Sequence, residues 1–110
     1  VPTGISAIQA VNVLKGFSGV KKRPALVLAR LAKNDLILCQ ITSRSYADLD
    51  AVELRQESFC EGRLISLSFI RPGKIFTANL SIVESCVARV RQDVHQATVR
   101  KIEALLNSGY

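Results

Sequence analysis

The sequence predicts a mainly β fold, a small curled barrel of short strands with one α-helix at its C-terminus. Three observations lead there. Short aliphatic and β-branched runs recur at close spacing between residues 10 and 90, punctuated by turn residues. Over residues 93–106 the apolar period changes from that of a strand to that of a helix. Aromatics make up only 5% of a chain whose hydrophobic content is 48%, so Val, Leu, Ile and Ala must fill the core.

The elements follow in chain order. Val11 and Val13 alternate and predict a strand over Ala10–Leu14, although Ile5, Ile8 and Val11 would also fit a helical face. After Pro24 the continuous aliphatic run Ala25–Leu31 predicts a strand buried on both faces. Lys33-Asn34-Asp35 is a turn, and Leu36–Ser43 (LILCQITS) is the next strand. Arg44–Leu49 reads as a polar loop and Ala51–Leu54 as a short strand. Glu61-Gly62 turns the chain before a strand over Leu64–Ile70; Pro72-Gly73 signals another turn, and Lys74–Thr77 resumes β character. Cys86–Val90 alternates as a strand does. Asp93 with Gln96 three residues later makes a capping box. Val94, Ala97, Ile102, Leu105 and Leu106 line one face of the helix it opens, and Asn107-Ser108-Gly109 supplies its stop.

A length of 110 residues with no repeat, low-complexity tract or Pro/Gly-rich linker predicts one domain spanning residues 1–110. No apolar run approaches the ~20 residues of a membrane span, so no membrane partner is expected. Cys39, Cys60 and Cys86 are odd in number and lack metal-ligand spacing. They predict reduced, partly buried thiols in a cytoplasmic protein, with neither a disulfide framework nor a metal site.

The formal charge is +6, unevenly spread. Residues 1–44 carry a balance of +6, residues 45–61 a balance of −4, and residues 62–110 return to +4. Two basic lobes around an acidic middle suggest a polyanion partner.

Much chemistry is excluded at once. His95 is the lone histidine and falls on the C-terminal helix, where it is expected to be a surface residue; neither a two-histidine ribonuclease nor a histidine triad can be built. The six glycines are scattered and none fits a phosphate-binding loop. An enzyme built from this chain must use arginine, hydroxyls and backbone amides, with no cofactor. RNA suits such a site, because it brings its own nucleophile, the 2′-hydroxyl, while arginine's planar fork matches phosphate oxygens. Arg23 precedes one predicted strand and Thr42-Ser43 end the next. If those strands pair as an antiparallel hairpin, the start of one faces the end of the other, and Arg23 meets Thr42. A solvated cation cluster and ordinary turn chemistry would explain the same residues.

The run Lys21–Ala29 (KKRPALVLA), then Asp35–Arg44 (DLILCQITSR), resembles the MazF/PemK family of toxin ribonucleases. The likeness continues through Val52-Glu53-Leu54 with F-x-x-G-x-L at Phe59–Leu64, and S-x-I-R-x-x-K-I-F-T at Ser68–Thr77. It is collinear from about Gly19 to Thr77, while residues 1–18 lack the Gly-Asp/Glu pair with which the family usually opens. The resemblance implies an SH3-like barrel of the MazF/PemK/CcdB type, a homodimer, and a cognate antitoxin that occupies the RNA groove. It implies metal-independent cleavage of single-stranded RNA to a 2′,3′-cyclic phosphate and a 5′-hydroxyl. It assigns catalysis to Arg23 on the scissile phosphate and to Thr42 on the phosphate oxygens. Lys21, Lys22, Ser43 and Arg44 would position the RNA backbone, with Arg71 and Lys74 in the later groove segment, and Tyr46 would offer a stacking ring. Two other readings stay open: a non-catalytic nucleic-acid-binding barrel of the same fold, and a gyrase-poisoning toxin of the related CcdB type.

Overall fold

A computed structural model describes residues 5–16, 22–44 and 49–108. Among these residues seven strands form one antiparallel sheet, followed by a helix. The strands are β1 (Ala10–Leu14), β2 (Arg23–Arg30), β3 (Asp35–Thr42), β4 (Val52–Leu54), β5 (Phe59–Gly62), β6 (Ser68–Asn79) and β7 (Val83–Val90), and the helix is α1 (Gln92–Leu106). Their order across the sheet is β4-β6-β3-β2-β1-β7-β5. The two outermost strands, β4 and β5, are consecutive in the chain and joined only by Arg55–Ser58. So short a link forces the sheet to curl until its edges approach, which makes the half-barrel.

The curl creates two apolar layers. Inside lie Val11, Leu26, Cys39, Ile41, Leu54, Ile70, Ala88 and Val90, with Val94 of α1 packed against them. Outside, Ala10, Leu14, Ala25, Val27, Leu36 and Leu38 are covered by Ala78, Leu80, Ile82 and Val83. Successive residues of β2 thus enter opposite layers, as its unbroken aliphatic run predicted. The β2–β3 hairpin closes through Ala32–Asn34, with Lys33 at φ 60° and Asn34 at φ 64° and a hydrogen bond from Leu31 N–H to the Asp35 carbonyl at 2.8 Å. Asn79 staples this turn to the end of β6, donating to the Lys33 carbonyl at 3.1 Å and to Asp35 Oδ1 at 3.0 Å.

Several details differ from the sequence-based expectations. Pro72-Gly73 is no turn: β6 runs straight through it, and the register shift against β3 between Cys39↔Ile75 and Ile41↔Ile70 absorbs the extra residues as a bulge. The strand expected over Leu64–Ile70 begins only at Ser68; Arg63–Leu67 is a loop in which Ile65 and Leu67 face solvent. The pair Glu61-Gly62 belongs to β5, a strand whose mixed residues gave no period. At α1 the N-cap is Arg91 without a side-chain cap, and Asp93 instead pairs with the Arg91 guanidinium at 3.1 Å. On the helix itself Leu106 is exposed, and the buried position of the inner face belongs to Thr98, whose hydroxyl donates to the Val94 carbonyl at 3.0 Å. His95 is half-buried, its Nε2 lying 3.3 Å from the Leu28 carbonyl.

Gly62 is the tightest point of the edge closure. Its φ is +65°, and a Cβ there would meet the Val87 carbonyl oxygen and come within 2.9 Å of Ala88 Cα, both backbone atoms of the neighbouring strand. Gly62→Ala therefore combines left-handed strain with a clash that no side-chain rotation relieves. It is expected to cost about 2 kcal/mol or more of stability, read by urea denaturation.

Candidate nucleic-acid interface

The predicted hairpin is the base of the site. β2 pairs antiparallel with β3, and the register Ala25↔Gln40 continued by two residues sets Arg23 opposite Thr42. On its other side Arg23 pairs with Leu14 of β1. Pro24 lacks an N–H and stands next to the strand's first residue, where a missing ladder donor is tolerated. Arg23 thus projects from the end of a strand held on both sides, and its guanidinium is reached by solvent.

Thr42 is buried at 9% exposure, and its Oγ1 accepts a hydrogen bond from the Arg44 N–H at 3.1 Å. That bond turns the chain at the strand end and holds the hydroxyl in one orientation. Because the oxygen accepts here, its own hydrogen is left to donate.

Arg23 and Thr42 line one open cleft of roughly 650 Å³ together with Lys22, Ser43 and Arg44. Its opposite wall is the loop that the sequence reading took for a strand, contributing Arg63, Leu64, Ile65 and Ser66, with Ser68 behind it. Ser68 is buried and donates to the Ser66 carbonyl at 2.8 Å, which anchors the end of this loop. Four cations and three serines are among the described residues that line the cleft, and no carboxylate is among them. Among the described residues no acid pairs with Arg23, Arg44 or Arg63, whereas Lys22 bridges to Glu84 at 2.9 Å on the exposed surface. An anion entering the cleft therefore finds three arginines that no described carboxylate engages, a concentrated positive field.

The remaining candidates fall elsewhere. Arg71 and Lys74 sit on the β6 bulge and do not line the cleft; Arg71 Nη1 donates to Gln40 Oε1 at 3.2 Å, tying the bulge to β3. Lys21 and Tyr46 lie outside the described residues. The residue that sequence reasoning missed is Arg63. Its signal was present as the variable position of F-x-x-G-x-L, but only the curl of the sheet carries it across to Arg23. Arg23 and Pro24 also border a second, mainly apolar hollow with Leu14, Phe76, Ala78 and Ile82.

No family model and no curated protein sequence matches the chain. Solved structures do. The toxin MazF-mt6 of Mycobacterium tuberculosis aligns at a TM-score of 0.71 and 14% identity, covering 89% of this chain and 96% of its own. A MazE–MazF complex from Deinococcus radiodurans matches at a TM-score of 0.70 and 25% identity, over 90% of this chain and 93% of that one. An endoribonuclease from a mycobacterial species matches at a TM-score of 0.70 with only 9% identity, over 94% and 92%. The likeness extends over about nine tenths of the chain, so it takes in most of the half-barrel and its C-terminal helix. In fold, the chain is similar to the MazF toxins.

Proposed function

We propose that the chain is the toxin of a toxin–antitoxin pair and cleaves single-stranded RNA without a metal ion. The observation that carries this reading is the meeting of Arg23 and Thr42 in one cation-lined cleft at the end of a rigid hairpin. The RNA backbone lies over Arg44 and Arg63, which bind phosphate oxygens, with Lys22 adding to the field. The 2′-hydroxyl attacks the adjacent phosphorus. A 2′-O–P bond forms as the P–O5′ bond breaks, leaving a 2′,3′-cyclic phosphate and a 5′-hydroxyl. Arg23 and the Thr42 hydroxyl donate to the non-bridging oxygens, whose charge grows in the transition state. The described lining residues include no carboxylate or imidazole, and arginine is too basic to take a proton readily. Arg23 therefore acts by stabilising charge, and water receives the 2′-hydroxyl proton and supplies one to the leaving 5′-oxygen.

On the same reading the protein works in the cytoplasm, with a cognate antitoxin that covers the cleft. The MazE–MazF complexes among its structural neighbours support that partner. A second copy of the chain is the other partner. The exposed rings and chains of Ile75 and Phe76, next to the apolar hollow beside Arg23, support a homodimer.

Incubation of the purified protein with single-stranded RNA in EDTA, followed by analysis of the ends, tests the reading. Cleavage to cyclic phosphate ends is expected. Arg23→Ala and Thr42→Val are each expected to lower the rate by about 100-fold or more, and full activity in Arg23→Ala would overturn the assignment. RNA binding without cleavage would move the chain to the non-catalytic class. Arg63→Ala should weaken binding evenly across RNA sequences, and the slope of log affinity against log salt should fall by about one.

A further inference from the structure

The loop Arg63–Leu67 has two sides. One walls the Arg23–Thr42 cleft; the other walls a second cleft of roughly 510 Å³. Arg63, Leu64, Ile65 and Ser66 line both, so a polymer crossing this loop passes directly from one to the other. The second cleft differs from the first in chemistry. It is lined by buried Leu54 and the half-buried Leu64 and Phe59, and on its rim stand Gln56 and Glu57. Arg55 is also there, but its guanidinium is held by Glu53 at 3.0 Å. Leu64 and Phe59 pack on the inner core and are thereby held in place.

Resting on the ribonuclease reading above, we infer that this second cleft is a specificity subsite that takes one unpaired nucleobase flanking the scissile phosphate. A base has an apolar π-face and a polar edge, which match a pocket with aromatic and aliphatic walls and a rim of amide and carboxylate. With Arg55 held by Glu53, Glu57 disfavours phosphate on its rim, and Arg63, shared by both clefts, holds the backbone at the loop while the base crosses it. The carboxylate also sets a preference. Guanine offers Glu57 two adjacent donors, N1–H and the 2-amino group. Uracil presents two carbonyl oxygens around a single N–H and is disfavoured. Phe59 supplies the stacking face, and Gln56 can donate to or accept from the remaining edge.

An abasic scan tests this. Single-stranded RNA oligonucleotides carrying one cleavage site are made with a single abasic nucleotide at each flanking position in turn, and kcat/KM is measured for the full chain in EDTA. One flanking position is expected to show a loss of about 10-fold, with guanine the best base there and inosine, which lacks the 2-amino group, weaker. In Phe59→Leu the abasic penalty should shrink to about two-fold or less. In Glu57→Gln the margin of guanine over inosine at that position should vanish. Phe59 also packs on the core, so exposed Glu57 carries the test should Phe59→Leu not fold. Cleavage that tolerates an abasic nucleotide at every flanking position, or a base preference unchanged in Glu57→Gln, would overturn this inference and leave the ribonuclease reading intact. Failure of the wild-type chain to cleave any RNA would overturn both.

Discussion

The double-sided burial of β2 is the constraint on which the other features rest. Leu26 enters the inner layer while Ala25 and Val27 enter the outer one, so the strand cannot slip by one residue without inverting both cores. Its neighbours inherit that register. β3 places Thr42 opposite Arg23 because Ala25 faces Gln40, and β1 places Leu14 beside Arg23 because Val11 faces Leu26. The catalytic geometry proposed for the cleft is therefore a by-product of core packing. Hydrophobic burial fixes where the guanidinium and the hydroxyl emerge, and no dedicated polar network is needed to hold the two strand ends together.

How much of this was legible in the sequence depends on the range over which each feature is determined. β2 and β3 were plain because burial on both faces leaves near-continuous aliphatic runs, and α1 was plain because its period is sustained over four turns. The pairing of Arg23 with Thr42 was legible for the same reason: one local hairpin decides it. β5 was not, because an edge strand pairs on one side only and tolerates the mixture Phe-Cys-Glu-Gly. The apolar residues of Leu64–Leu67 suggested a strand, yet two of them face solvent at the rim of the cleft. Pro72-Gly73 read as a turn because local chemistry cannot distinguish a reversal from a bulge inside a long strand. Arg63 escaped notice for a deeper reason. Its position opposite Arg23 depends on closure of the whole sheet, and no window of the chain contains that information.

The charge pattern finds a similar explanation. The acidic middle segment supplies Glu57 to the second cleft, across the Arg63–Leu67 loop from the cation-lined one, and Glu53 and Glu61 to the edge strands β4 and β5. A cleft with four cations and a cleft that carries a carboxylate are thus separated by one loop, and the loop itself begins with an arginine. A polyanion meets the denser positive charge on the Arg23 side of it.

The short link between β4 and β5 has a consequence for how these molecules behave in a crowd. A flat seven-stranded sheet would end in two open edges, each a template for pairing with another chain. Here the edges are only three and four residues long and curl towards one another, and acidic Glu53 and Glu61 lie along them. A chain so rich in β-branched and aliphatic residues is thereby kept from assembling edge to edge into aggregates. Topology thus guards against edge-to-edge association alongside the net charge.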